Sequence, residues 1–563
     1  MSKSKQNKAS HNNRAGNRSN KMPGVAPVSV PSRKKRSLAT AFVKTLVFAV
    51  EFVFLWLFLY ILYGDVLYVA EQRSFFAFDS VAMQYYLSQP LGWLYAVGRF
   101  MLLSGACPIL ASLLLAVMLT VATWLFDRAF RLKGWWHMAT AVLPFLYVFF
   151  LFYKGLNLVY LRELSLIMTI PFVAMLCAAV MALLSKIVFK TGISLRTIVK
   201  PFEADCKRST LWVVGVMAAL MVTSVAVALT YAQNDRITCT MERYMYNEDW
   251  DKMADAAKQA SRPSRTVMGL YAVALNQNGQ MATELFNIPM QYGNIHLTRS
   301  NGNFDSGIDF LVIYANFYAG LTRSAYHEAV EQTVTEGPSI VKLKYMVKCA
   351  LIDKEYALAE KYLAILKKVP FESDFVEKYS DMLYNYDKIS QDNELASVIE
   401  LQPLKDSFEQ EYRKPMFLGY NVRLLEAKSI RGLNNCLYAC LYSKDLNGFW
   451  ERIITMIQNN VMLSKVFEEA IVVKNLKNLS VLKQIQLSTY TLQEFKNFMG
   501  DCFPKGEKST KQMGKEEKTE WMKQKARKFK DKYLGTYEYY YYFQNVPDEN
   551  YEVADADKKG GVN

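Results

Sequence analysis

The hydrophobic pattern changes character once along this chain. Residues 41–231 are dominated by long apolar runs, and from 232 onward apolar positions recur at three- and four-residue steps among charged ones. The first regime belongs to helices with lipid around them, the second to amphipathic helices over a water-facing core. A helix needs about 20 apolar residues to cross a bilayer. Five runs qualify, at 41–63, 106–126, 135–153, 164–185 and 211–231, with Pro144 and Pro171 inside two of them. The first run exceeds a signal-peptide core of ~7–15 residues and is followed by no small-residue cleavage pattern, so it predicts an anchor. The stretch "LGWLYAVGRFMLL" (91–103) is apolar but interrupted by Gly98 and Arg99. It predicts an interfacial or re-entrant helix, bent at Pro108 before the second span.

Beyond residue 231 the pattern predicts repeated helical hairpins. In "VKLKYMVKCALIDKEYALAEKYLAILKKVP" (341–370), Leu343, Met346, Val347 and Ala350 form one apolar face, and Asp353–Lys354 a turn. Tyr356, Ala359, Leu363 and Leu366 then form a second face. An aromatic residue opening the second helix and a small residue at the crossing are the tetratricopeptide pattern. Similar units occur at 241–257, with Trp250 in the aromatic place, at 270–286 with a turn at Gly279, and at 310–330 with a turn at Gly320. From Gly320 to Lys354 the step is 34 residues, and from Gly279 to Gly320 it is 41, lengthened by an inserted loop at 289–307. The expected organisation is all-α. A basic tail (1–36) precedes a bundle of about five transmembrane helices (37–231), a TPR-like α-solenoid (232–403), a second helical region (404–503), and a charged linker, helix and aromatic element (504–563).

Charge settles the expected orientation. The net charge is +15, and the first 36 residues hold ten Lys and Arg and no acid. With Pro23, Pro27 and Pro31 and little apolar surface, this tail has no means of folding alone. Lying before an apolar run, it predicts a cytoplasmic flank facing anionic lipid. Arg128, Arg131 and Lys133 follow the second span, and Lys186, Lys190, Arg196, Lys200, Lys207 and Arg208 follow the fourth. The other loops are poorer: Arg73 alone in 65–90, then Lys154 and Arg162. Five spans with the N-terminus inside put residues 232–563 outside the cytoplasm and exclude nucleic acid as a partner.

Motifs for chemistry are scarce. His11, His137, His296 and His327 show no metal spacing, and no P-loop, G-x-S-x-G, C-x-x-C or G-x-G-x-x-G occurs, so neither cofactor nor metal is expected. Cys239, Cys349, Cys436, Cys440 and Cys502 are expected as small buried residues; Cys436 and Cys440 share one helix face, a poor arrangement for a disulfide. Glu51 lies inside the first span, where a charge costs about 2.5–3.5 kcal/mol on insertion scales; Lys44, or protonation, accounts for it as well as a function does. The run "YEYYYYF" (537–543) is too short to span. Left exposed it would invite edge pairing, so it is expected to fold back from Gly535 with at least half its aromatics buried.

The order of the pieces resembles an uncharacterised family of bacterial inner-membrane proteins with several spans followed by TPR-like repeats. The likeness is carried by "YVAEQRSFF" (68–76), "QPLGWLYAVGRFML" (89–102), "ALNQNGQMATELFNIPMQYG" (274–293), "LIDKEYALAEKYL" (351–363), "YACLYSKDLNGFWE" (438–451) and "GTYEYYYYF" (535–543). It covers nearly all the chain except the basic tail. It departs at "QPLGWL", where the family pattern has Pro-Gly-Gly, and it implies no reaction. The expected function is that of a membrane-anchored periplasmic scaffold, with membrane lipid and a protein or peptide on the repeats as partners. The alternative is an enzyme using a polyprenyl-phosphate-linked sugar donor. Its catalytic groups would be Asp65, Glu71 and Asp79 in the first outer loop, with Arg99 as phosphate contact, by analogy with multi-span glycosyltransferases.

Overall fold

The computed structural model describes residues 33–130, 140–155, 162–190, 206–290, 307–405, 426–476, 479–485, 487–504 and 513–544. Among the described residues every regular element is a helix. The described residues up to Val50 form one unit, in which Leu46 and Val50 are half exposed, and the described residues from Glu51 onward form the second. The second unit holds the rest of the first helix and every helix after it.

Helix α1 (Arg33–Arg73) does not stop where the apolar run ends at Tyr63. Val66, Leu67, Val69 and Ala70 are all buried, so the helix enters protein on more than one side. Next come α2 (Ser80–Ser88), α3 (Gly92–Leu102), α4 (Pro108–Phe130), α5 (Leu143–Lys154), α6 (Leu166–Lys190) and α7 (Cys206–Leu229). Close approaches align their ends. A Cβ on Gly64 would lie 3.4 Å from Pro108, and one on Gly105 would lie 2.5 Å from the Leu67 carbonyl oxygen and 2.7 Å from the Glu71 Cβ. Gly98 of α3 is pressed against Ser165 and Thr169 at the start of α6, and Gly155, after α5, against Asp235 beyond α7. Arg236 Nε donates to the Leu62 carbonyl at 2.9 Å. The end of α1, the starts of α4 and α6 and the ends of α5 and α7 therefore share one end of the bundle.

Three helices are long and apolar enough to cross a membrane, over Thr45–Arg73, Pro108–Phe130 and Leu166–Lys186. Helix α7 covers most of the run at 211–231, and its described part passes the same test as a pair with the helix after it, across a 63° bend. Of the run at 135–153, residues 135–139 lie outside the described residues, and α5 itself has 12 residues. The segment at 91–103 is a helix of its own, separated from α4 by a 3-10 turn over Leu103–Ala106.

The helical hairpins follow as α8 (Gln233–Tyr246), α9 (Trp250–Lys258), α10 (Arg265–Asn278), α11 (Met281–Glu284), α12 (Ile308–Tyr318), α13 (Thr322–Glu336), α14 (Ile340–Ile352), α15 (Tyr356–Leu366), α16 (Ser373–Ser380), α17 (Tyr386–Gln391) and α18 (Asn393–Leu401). One turn closes four of the hairpins. Glu248, Gly279, Gly320 and Lys354 are left-handed, with φ between +58° and +82°. The residue after each donates its N–H to a carbonyl five residues back: Asp249 to Tyr244, Gln280 to Leu275, Leu321 to Asn316 and Glu355 to Ala350, at 2.8–2.9 Å. This is the Schellman bond, which satisfies carbonyls the helix end leaves open. Glycine adopts that conformation without strain, and Gly320 has a second reason: a Cβ there would lie 2.4 Å from the Leu401 carbonyl carbon. The expected linker at 401–415 lies mostly outside the described residues.

The second helical region contains α19 (Ile430–Tyr442), α20 (Leu446–Gln458), α21 (Lys465–Lys474), α22 (Leu479–Gln484) and α23 (Thr489–Cys502); α24 (Lys515–Tyr533) and α25 (Tyr537–Phe543) end the described chain. The tyrosine run is a helix, capped by Thr536, whose hydroxyl accepts from Tyr539 N–H at 3.3 Å. Tyr537, Tyr539, Tyr540 and Phe543 are buried. The Tyr540 ring centroid lies 4.5 Å from that of Phe286, and its hydroxyl bonds the Tyr442 carbonyl. Gln544 accepts from Met290 N–H at 2.7 Å, so α25 ties the early repeats to the second region. Lys444 donates to the carbonyls of Tyr541 (3.0 Å) and Gln544, at the negative end of that helix.

Glu538 of α25 and Glu469 of α21 are both buried and face each other. Burial, then mutual repulsion for Glu469, pushes its carboxyl up to about 8, and burial pushes Glu538 up to about 7. The Tyr537 amide (2.7 Å) and Lys465 (3.7 Å) oppose this for Glu469. The folded state thus holds protons that the unfolded chain releases above the ordinary value of 4.5. Stability contributed by the neutral pair is complete below that value and lost as pH rises toward 8, by at most about 1.4 kcal/mol per pH unit for each proton. Burial holds Lys444 at about 7, so its opposing contribution begins only above that pH. Thermal melts of the detergent-solubilised protein between pH 5 and 7 are expected to show Tm falling as pH rises. Glu538→Gln is expected to flatten that slope; an unchanged slope would place its origin elsewhere.

Candidate functional site at the inner seam of the repeats

The last turns of α1 lie among the first helices of successive hairpins and build a buried polar seam there. Arg73, with no side-chain exposure, pairs with Glu242 of α8, itself buried. The guanidinium lies 4.2 Å from the Phe310 ring centroid on α12. Tyr246 and Tyr314 hydroxyls, 2.8 Å apart, both reach Glu242 Oε2, at 3.2 and 3.4 Å. Earlier on α1, Asp65 accepts from Thr240 and Arg243, both at 2.6 Å. Gln72 donates to Glu71 (2.8 Å) and Glu372 (3.1 Å) and accepts from Lys344 (2.8 Å), which also pairs with Glu372. The Ile340 N–H donates to the Ser74 carbonyl at 2.9 Å, fastening the end of α1 to the start of α14.

Three carboxylates (Asp65, Glu242, Glu372) are paired with three cations (Arg243, Arg73, Lys344) in this seam. A buried ion pair adds little over an apolar contact of the same shape, but removing one partner strands the other. The seam therefore fixes one register between α1 and the repeats. Further along the same inner face, Glu394 of α18 accepts from Tyr318 (2.6 Å), Lys348 (2.7 Å) and Tyr379 (3.1 Å). The chain's own α1 and α18 are thus both bonded to first helices of the hairpins.

Sequence placed Asp65, Glu71 and Asp79 together in one outer loop. Asp65 and Glu71 are instead on α1, and Asp79 stands just before α2, where its side chain pairs with Lys368 at 3.2 Å instead of capping the helix. Glu71 is buried, and its Oε1 has no hydrogen-bond partner among the described residues. Arg99 is buried under Ser74 (3.1 Å) and the Tyr95 hydroxyl (2.9 Å), with no carboxylate within ion-pair distance among the described residues. The structure thus distributes these groups over three elements and commits most of them to protein partners. Glu51 is fully buried and neither of its carboxylate oxygens finds a partner among the described residues; the Lys44 side chain lies outside them.

Elsewhere the chemistry is sparse. His327, Glu328 and Glu331 bring ligand atoms within 4.8 Å of one another, but one surface turn of α13 supplies all three. His11, His137 and His296 lie outside the described residues. A cavity of about 360 Å³ is lined by Thr322, Arg323, Asp353, Gln402, Lys405 and Lys428 among others. Its one carboxylate, Asp353, is bonded by Thr322 (2.9 Å) and Gln402 (3.3 Å), and burial raises its pKa. Cys239, Cys349, Cys436, Cys440 and Cys502 are all buried, as expected.

Residues 37–199 and 152–544 match a family of unknown function, DUF6057. The chain belongs to this family. No curated protein and no solved structure matches it. The match begins at the foot of α1 and ends beyond α25, so in this DUF6057 protein the candidate spans, the seam, the helical hairpins and the tyrosine helix all fall within the family match. Sequence reasoning missed the Arg73–Glu242 pair because 169 residues separate its members. One signal was present: apolar positions persist through Val66, Leu67, Val69 and Ala70, so "EQR" sits on a helix still being buried.

Proposed function

We propose that this protein is a scaffold held at the membrane by its N-terminal helices, with a TPR-like solenoid on the non-cytoplasmic side of a bacterial inner membrane. The observation that carries the proposal is the passage of α1 from a candidate span directly into the core of the repeats. Such a joint fixes the helical domain at one height and orientation over the bilayer, which suits a platform for other proteins. Because α1 and α18 engage the first helices of the hairpins, the docking surface lies on the outer helices and on the second helical region. The alternation of Lys/Arg-rich and Lys/Arg-poor loops and the basic tail support the orientation. The glycosyltransferase alternative draws support only from Arg99 and the half-bonded Glu71; Asp65 and Asp79 are committed to Arg243 and Lys368.

Crosslinking with mass spectrometry in intact membranes, using full-length protein, tests the proposal. Specific protein adducts mapping to the outer helices are expected. Recovery of lipid-linked sugar at Arg99, together with loss of function in Glu71→Gln at unchanged protein level, would favour the enzyme.

A further inference from the structure

Among the described residues from 233 to 401, the exposed large apolar side chains are Val334, Ile365, Phe371 and Tyr384. Three of these four sit at two helix ends that rest on the α2–α3 hairpin. Val334, 78% exposed, lies one turn before Gly337, where a Cβ would come 2.5 Å from the Tyr85 hydroxyl of α2. Ile365 and Phe371 flank Lys368, which pairs with Asp79 at the start of α2. Phe371 is 72% exposed and has φ +68°, a conformation that side-chain-bearing residues rarely adopt. Its flanks leave it little freedom: Val369 is buried, and Glu372 is buried and held by Gln72 and Lys344. The ring is therefore held outward.

The hairpin beneath is itself apolar outside. Phe78, Val81 and Leu91 are each 71% exposed and Trp93 is 55% exposed. It lies at the end of the bundle where α1 leaves and α4 and α6 begin, the level at which spans meet water. The geometry points to a second membrane contact made by the repeats themselves: Phe371, with Ile365 and Val334, enters the lipid interface beside the hairpin, and Lys367 and Lys368 lie against anionic headgroups. Aromatic rings at headgroup level and lysines facing anionic lipid are the usual components of such a contact, and continuity with the spans identifies a bilayer as the occupant. The inference rests on the membrane reading of the N-terminal helices.

The test is photocrosslinking of the full chain in nanodiscs of phosphatidylethanolamine and phosphatidylglycerol. Three single variants carry the probe: Phe371→p-benzoylphenylalanine, Phe78→p-benzoylphenylalanine and Met462→p-benzoylphenylalanine, the last at a site 93% exposed in the second helical region. Lipid adducts are expected at 78 and 371 and none at 462. Omitting phosphatidylglycerol is expected to lower the yield at 371 and leave that at 78 unchanged; equal yields would overturn the role of the lysines. Adducts at 78 without any at 371 would overturn the second contact while keeping the embedded hairpin. Adducts at neither site would overturn the membrane reading as well, and a protein adduct at 371 in native membranes would replace lipid by a protein partner.

Discussion

Arg73→Met is expected to destabilise the protein by about 3–5 kcal/mol, the cost of leaving a buried charge without its partner. Glu242 has no route to water: it is buried beneath Tyr246 and Tyr314, and those hydroxyls hold its Oε2 in place. Replacing Glu242 by Leu alone strands the guanidinium in the same way and is expected to cost a similar amount. Changing both residues together removes the unpaired charge, and the double variant is expected to recover most of the loss, since apolar replacements of whole buried pairs are often neutral. Thermal unfolding of purified protein in one detergent, read for the wild type, the two single variants and the double variant, measures the coupling directly. Additive losses would show that the two residues do not act as a pair.

Tyr540→Ala is expected to weaken the fold by a comparable amount at the other end of the chain. The ring is fully buried between Phe286 and Tyr442, and truncating a large buried aromatic costs about 3–5 kcal/mol. The loss is expected to spread, because α25 also bonds Met290 through Gln544 and receives Lys444 at its end. Truncation before Thr536 removes four buried aromatics together and is expected to separate the early repeats from the second region. Limited proteolysis reads this as new cleavage on both sides, in α19–α21 and near residue 286. An unchanged protease pattern would mean that the tyrosine helix decorates the domain without holding it.

What sequence could reveal here was governed by range. Features set by neighbours within a few residues are visible: the apolar runs, the turns at Gly279, Gly320 and Lys354, the stop at Gly535 and the need to cover the tyrosines. The turn at Glu248 takes the same left-handed conformation as Lys354, likewise without glycine. Long-range features were hidden. Arg73 counts as one cation in a poor loop until the helix is seen to continue through it. Lys342, Lys344 and Lys348 look like surface charges on an amphipathic helix, yet each is drawn inward by one acid, Glu336, Glu372 or Glu394. Lys342 is buried enough that its ammonium is held below the ordinary lysine range, with Glu336 offsetting part of that burial. Periodicity assigns such positions to solvent because it sees residue type and not the partner. The first helices of the hairpins are likewise engaged by α1 and α18 through partners far away in sequence.

If α1 runs beyond the membrane and is built into the repeats, a covalent bond can be formed across that joint. A cysteine pair, Asp65→Cys with Thr240→Cys, provides it, because these side chains are in contact at 2.6 Å. A protease site placed within 191–205 separates the two cysteines along the chain. After mild oxidation in native membranes and cleavage, the two fragments are expected to migrate as one species without reductant and as two with it. Separate fragments under both conditions, with both cysteines still open to alkylation, would contradict the joint and detach the helical domain from the first helix.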